Sequence, residues 1–475
     1  MSTLRKNTKA KLPFNSTMAE EKTPKFTILL FPWLAYSHVH PFFELANNLA
    51  HKRFRIHFCS SAVNLDSIRG KFGKDSSTAV DLIELPFPPL PELPPHLHTT
   101  KNLPPNLMPT LVHAFQQTSS AFSEIMNRVS PDLLIYDFFQ PWAAKQARRR
   151  GIPSVYFATA GAAPFSFFYH QFRHGENRDF PHEEIYLSDR EKIDASAPIK
   201  LEIEDADEDA FSFGVFDLSC DIVLIKGFQG FDGKYIDYLS ELCNKRVIPT
   251  GPLALDPNDQ IDEESSEILQ WLSKKERSST VFVCFGSEHF ISMDQIREIS
   301  KGLALCKASF VWVVRLPPEA EAEGVCIEDA LIGGFLERER ERGLVVEGWA
   351  PQARILKHAS IGGFASHCGW SSIMEGLWFG VPIVAMPIKY DQPINARVVA
   401  EAGVGVEVVR GEDGCFSGEE VAAAIDRVVG GESGEGIRRR VGDLSGRMRR
   451  EGAAAAVEET AEELLLLCEK SKRSG

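Results

Sequence analysis

From Lys25 onward, short unbroken apolar runs alternate with stretches whose apolar residues recur every three or four positions. FTILLFPW (26–33) has the length and density of a buried strand, and PFFELANNLAHK (41–52) spaces its apolar residues at helical intervals. RIHFCSS, DLIELPF, DLLIYDF and PSVYFATAG read as further strands, and NLMPTLVHAFQQTSSAFSEIMNRV carries helical periodicity between them. Strands alternating with helices predict right-handed βαβ units on a parallel sheet. The stretch PFPPLPELPPHLHTTKNLPP (86–105) is too rich in proline for either element and is expected to be a long, stiff loop.

A second cycle follows VIPTGPLALDPNDQIDEESSE (247–267), whose Pro, Asn, Asp and Ser have little apolar periodicity. Beyond it STVFVCFGS, SFVWVVRL, LVVEGW, IGGFASH, VPIVAMPI and GVGVEVV read as strands, and AAAAVEETAEELLLLCEK (453–470) as a strong final helix. The expected organisation is a leader (1–24), a first doubly wound α/β domain (25–250), a linker (251–266), a second such domain (267–452), and a C-terminal helix and tail (453–475). In such sheets ligands sit beyond the carboxyl ends of the strands, so two facing domains imply a cleft between them.

Composition narrows the partners. A chain of 475 residues has room for two domains, and 44% hydrophobic with 25% charged residues is ordinary globular usage. The net charge of −14 disfavours nucleic acid and anionic membrane surfaces. Nine scattered cysteines without a CxxC pair fit a reducing compartment, the cytoplasm, better than a disulfide framework or a zinc site. The longest apolar runs are strand-sized, so no membrane span is expected. Residues 1–17 hold Arg5, Lys6, Lys9 and Lys11 and no acid; they read as a disordered leader, with Met18 an alternative start.

Several motifs are set aside on their chemistry. No GxGxxG follows a strand, and GFQGFDGKY (227–235) lacks the glycine spacing and the Ser/Thr of a phosphate loop, so it reads as a turn before a helix. EIEDADED (202–209) contains Asp205 and Asp207 at the spacing of a metal-bound nucleotide site, but so dense an acidic run reads as a solvated loop. His96 and His98 have no nearby Cys or acid to complete a ligand set, and no metal is expected.

The segment WAPQARILKHASIGGFASHCGWSSIMEGLWFGVPIVAMPIKYDQ (Trp349 to Gln392) resembles the nucleotide-sugar box of plant family 1 UDP-dependent glycosyltransferases over its full spacing. The resemblance implies the GT-B arrangement of two facing Rossmann-like domains, a UDP-sugar donor and no further cofactor. It assigns Trp349, Ala350, Gln352, His367, Gly369, Trp370, Ser371, Ser372, Glu375, Asp391 and Gln392 to the donor. Ser287 in CFGSEHF resembles the family's second phosphate contact. The residue chemistry agrees. Trp349 offers a flat face for uracil, and Gln352 offers amide donors and acceptors. His367, Gly369, Ser371 and Ser372 occupy a strand-to-helix turn suited to a diphosphate. Glu375 suits a ribose diol, and Asp391 and Gln392 suit sugar hydroxyls. Cys368 reads as a packing residue. Serine at 371 departs from the family's usual asparagine.

Near the N-terminus, FPWLAYSHVHPFFELANNLA resembles the region carrying the family's base within Gly-His-x-x-Pro, with Ser37 in place of the glycine. His38 is the implied base and Asp137, in LLIYDFFQPWA, its partner; His40, two residues on, is a second choice. The resemblance further implies an inverting, metal-independent transfer of glucose from UDP-glucose, with Trp370 and Gln392 marking a glucose donor. FCSSAVNLDSIRGKF, LPELPPHLHTTKNLPPNLMPTL and GKYIDYLS resemble the branch that adds sugar to sugar. A small-molecule glycoside acceptor is therefore expected, in a pocket for which Phe138, Phe139, Trp142, Phe165, Phe167 and Phe168 are candidates. Transfer to an aglycone hydroxyl and a non-catalytic nucleotide-sugar-binding protein are the alternatives. A monomer is expected.

Overall fold

The alternation resolves into two parallel sheets. The computed structural model describes residues 24–50, 52–72, 79–175, 178–196, 213–254, 263–286, 290–317, 320, 322–411 and 414–474. The basic leader before residue 24, Asp205 and Asp207, Ser287 and half of the linker (255–262) lie outside the described residues.

The first sheet holds β1 (Phe26–Phe31), β2 (Phe54–Ser60), β3 (Val80–Glu84), β4 (Leu133–Tyr136), β5 (Ser154–Ala158), β6 (Ile222–Ile225) and β7 (Arg246–Pro249), in the order β3-β2-β1-β4-β5-β6-β7. Helices cover both faces, so successive residues of one strand enter different cores. Ile28 and Leu30 pack with Ile56, Phe58, Leu133 and Ile135, while Leu29 and Phe31 pack with Leu134 and Tyr136. Burial on both faces explains why β1 reads as a continuous apolar run.

The second sheet holds β8 (Thr280–Cys284), β9 (Ser309–Val314), β10 (Gly343–Glu347), β11 (Ile361–Ser366), β12 (Ile383–Ala385) and β13 (Gly405–Glu407), in the order β10-β9-β8-β11-β12-β13. Both sheets wind outward for three strands and then return to the other side of the first. Each therefore has a switch point, between β1 and β4 and between β8 and β11, where a crevice opens at the carboxyl ends.

Three details differ from the sequence reading. β6 was not singled out there, and β7 overlaps the start of the 247–267 stretch read as having little apolar periodicity. The helical stretch after the proline-rich loop is two helices, Met108–Gln117 and Ser119–Val129, divided at Thr118, whose hydroxyl donates to the Phe115 carbonyl at 2.6 Å. The final helix, Ala453–Ser474, runs back across the first domain. Ala461, Leu464, Leu467 and Cys468 join the core under β1 and β4. Arg246 pairs with Glu459 and Glu463, Lys52 with Glu458, and Lys25 with Glu469. Among the described residues no helix is long and apolar enough to cross a membrane.

Candidate active site

β1 and β4 run in register, Phe31 beside Tyr136, so the segments after them leave the sheet side by side. Asp137 is the first residue past β4 and is 1% exposed. Its carboxylate accepts the backbone N–H of Trp33 at 2.9 Å and of Phe138 at 2.7 Å. The chain after β1 enters the helix Tyr36–Leu49 directly, which places His38 in its first turn. His38 Nδ1 lies 2.8 Å from Asp137 Oδ2 and 3.1 Å from Thr159 Oγ1, so Asp137 engages the Nδ1 side of the ring. The helix also separates the two histidines. At about 100° per residue, positions 38 and 40 point to nearly opposite sides. His40 Nε2 faces Glu44 Oε1 at 3.6 Å, and burial, helped by the Lys226 and Lys71 ammonium groups, pushes its imidazole down to about 3.

Across the crevice, β8 and β11 also end together, Cys284 beside Ser366. The His367 ring fits between two glycines. A Cβ on Gly286 would stand 2.8 Å from its Cε1, and one on Gly369 2.5 Å from its Nε2. Burial pushes His367 down to about 4, so the ring is neutral near pH 7. Cys368 takes a left-handed backbone (φ 66°), held by Asn395 Nδ2, which donates to the Cys368 carbonyl at 3.1 Å. That turn starts the helix Trp370–Trp378. Gly369 gives its N-terminus no side-chain cap and its first turn holds no acid, which leaves N–H groups and a positive dipole end for an anion.

Trp349 is 58% exposed beyond β10, a flat ring beside the cleft, while Ala350 is buried. Gln352 Nε2 donates to Glu375 Oε2 at 2.9 Å and lies 3.4 Å from Ser372 Oγ, so these three polar side chains converge. Burial raises the Glu375 carboxyl, partly offset by Gln352 and Lys226. Asp391 caps the helix Gln392–Glu401 and accepts Asn395 Nδ2 at 2.8 Å.

A family described as UDP-glucoronosyl and UDP-glucosyl transferase matches residues 259–439, and one described as glycosyltransferase, N-terminal domain, matches residues 25–253. Mogroside IIIx synthase of Siraitia grosvenorii is 46% identical, covering 93% of each chain. The chain belongs to the UDP-glycosyltransferases. Members of this enzyme class transfer sugar from a UDP donor with inversion and without a metal. Beta-D-glucosyl crocetin beta-1,6-glucosyltransferase of Gardenia jasminoides is 42% identical over 88% of this chain and 94% of its own. Among solved structures, a Glycyrrhiza uralensis enzyme complexed with glycyrrhetinic acid 3-O-monoglucuronide superposes with a TM-score of 0.80 at 22% identity, over 94% of this chain and 97% of that one. A Siraitia grosvenorii transferase in complex with UDP gives 0.72 at 24%, over 93% and 100%. At these identities the structural likeness establishes the GT-B fold.

Some of the expected residues also make contacts within the fold. The Trp370 indole is 3% exposed, packs along Gly161 and donates Nε1–H to the Lys226 carbonyl at 2.7 Å, so its side chain serves the contact between domains. Gln392 Oε1 accepts the N–H groups of Ile388 and Lys389, which shapes the loop before its helix. Of the aromatic candidates, Phe139 stacks on Trp33 at 4.6 Å, stands 6.1 Å from the His38 ring and touches Phe138. Trp142 packs among Phe31, Phe115 and Phe122 and bonds Gln116, because its neighbours are core residues. Phe165 packs against Tyr156 and Phe216, and Phe167 contacts Phe168 and Phe180.

Thr159, Asn395 and Lys226 were not found by the sequence reading. Each lies one residue past a strand of a parallel sheet or one turn into a helix at the carboxyl edge. That placement was the available signal.

Proposed function

We propose that this glycosyltransferase moves glucose from UDP-glucose to a sugar hydroxyl of a small-molecule glucoside of terpenoid, flavonoid or lignan type. The supporting observation is the His38–Asp137 pair at the edge of one sheet, opposite the uncapped helix and glycine-lined histidine turn of the other. A sugar hydroxyl is a poor nucleophile at neutral pH. His38 Nε2 takes its proton as the oxygen attacks the anomeric carbon. The bond from that carbon to the UDP oxygen breaks on the opposite face, so an α-linked donor gives a β-glucoside. Asp137 fixes the tautomer and stabilises the imidazolium. Trp349 stacks on uracil, Gln352 and Glu375 bind the nucleoside, and the turn at His367 with the N-terminus at Ser371 and Ser372 holds the diphosphate. Asp391 and Gln392 meet the donor sugar, and Ser287 adds a phosphate contact.

The acceptor class is supported by relatives named for glucosides: the crocetin enzyme, and a flavanone 7-O-glucoside 2''-O-beta-L-rhamnosyltransferase of Citrus maxima, 42% identical. Those names span different donor sugars, so glucose rests on the resemblance at Trp370 and Gln392. Nine free thiols fit a reducing cytoplasm, and the enzyme works as a monomer. The test is a panel of glucosides and their aglycones with UDP-glucose, UDP-rhamnose or UDP-glucuronate, products read by mass. A second hexose on the glucosides with UDP-glucose is expected. Turnover of aglycones alone, or of another donor alone, overturns the acceptor or donor assignment, and UDP binding without turnover overturns catalysis.

A further inference from the structure

Lys226 is the residue immediately after β6, at the carboxyl edge of the first sheet, and is 1% exposed. It is clamped to the second domain at both ends. Its carbonyl accepts the Trp370 indole N–H at 2.7 Å, and its Nζ donates to Ser371 Oγ at 2.9 Å. Trp370 and Ser371 are the first two residues of the uncapped helix. An ammonium has three N–H donors, and Lys226 gives one to a neutral hydroxyl. Among the described residues no carboxylate forms an ion pair with it; Glu44 and Glu375 act on it only from farther away. A buried charge without a counter-ion is unfavourable by several kcal/mol. Burial accordingly lowers the ammonium to about 8, with the two glutamates working against the fall. A cation this buried, in direct contact with a helix N-terminus that itself favours anions, has ammonium donors in place for an anion bound beside that turn.

We infer that Lys226 is a diphosphate ligand supplied by the first domain, holding the donor's phosphates against the helix at Trp370 and taking up negative charge as UDP leaves. The inference rests on the proposed function above. It gives the metal-free reaction a cation where the leaving group forms. It also makes the donor a bridge: phosphates gripped from both sides draw the two sheets' edges together.

The experiment compares equilibrium binding of UDP and of uridine, which lacks phosphates, to the full-length enzyme and to Lys226→Met, Lys226→Gln and Lys226→Arg. Removing the charge is expected to weaken UDP about 10- to 100-fold, the worth of one hydrogen bond to a charged group, and to leave uridine unchanged. Lys226→Gln retains a donor for Ser371 and still loses UDP affinity, whereas Lys226→Arg recovers most of it. Uridine affinity reports whether each variant is folded; if Lys226→Met is not, the Gln and Arg variants decide. UDP affinity equal to the parent's in Lys226→Gln, or equal losses for UDP and uridine, overturns the inference and leaves Lys226 a domain tether. A parent enzyme that binds neither ligand overturns the nucleotide reading itself, which is a different outcome.

Discussion

The sharpest consequence at the level of single side chains falls on His38. His38→Ala is expected to reduce glucosyl transfer by about 10²–10⁴ while leaving UDP affinity unchanged, because the base belongs to the other domain from the nucleotide turn. Asp137→Asn should lower turnover with little change in donor binding. His40→Ala, whose imidazole turns toward Glu44, should run near the parent rate; a dead His40 variant with an active His38 variant would reverse the assignment. A second residue carries a pH signature. Asp232 is fully buried, accepts the N–H of Phe228 at 3.0 Å, and burial lifts its carboxyl to about 7. Unfolded, it ionises near 4. Between these values the unfolded chain has lost the proton while the folded one keeps it, so stability falls as pH rises from about 4 to 7 and is flat above. Asp232→Asn, a mimic of the protonated acid, should raise the melting temperature at pH 8 and change it little at pH 4.5. A lower melting temperature at both pH values would mean that the carboxylate is ionised in the fold. The proposed donor residues could be named from sequence because they crowd into one 44-residue stretch. Lys226 was not, since a lone lysine ending DIVLIK carries no sign of the helix it meets 145 residues later.

Elements were legible where an apolar run stood out from its flanks. All six strands of the second sheet follow apolar runs read from sequence, including the three-residue β12 and β13, while β6 and β7, each running straight into a glycine-containing turn, were passed over. The start of the helix Tyr36–Leu49 mattered more than any strand. Sequence left open whether residues 36–40 are extended, in which case His38 and His40 would share a side. The helix assigns them to opposite sides and so separates the imidazole at Asp137 from the one at Glu44. The turn between β11 and the helix Trp370–Trp378 has the least room of any element at the site. Gly369→Ala would press a methyl group onto the His367 ring, so the turn must open and its N–H groups must lose their aim. The expected result is a KM for the sugar donor raised about tenfold, with the acceptor KM unchanged, in titrations of each substrate at saturating amounts of the other. Equal donor KM values would show that the turn absorbs the methyl group without disturbing the site.

For the molecule as a whole, the two-domain division was visible in the repeated strand–helix cycle and the acidic interruption. What the sequence did not reveal was where the last helix docks, because an amphipathic helix states that it has an apolar face and not which core receives it. Leu464, fully buried under the first sheet, provides the check. Leu464→Ala should destabilise the first domain by about 2–5 kcal/mol, seen as faster amide exchange in β1 and β4 than in β11. Exchange rising only in the second sheet would place the helix elsewhere. Transfer in excess chelator should match the untreated rate. The docking of that helix also sets how this protein can be recombined. The described chain runs through the first domain, crosses to the second and returns to the first, where Lys25 pairs with Glu469. A chimera that exchanges everything after the linker would therefore replace part of the first domain's own core with a foreign helix. The exchangeable second-domain module is an insert with two junctions, one in the linker and one before Ala453.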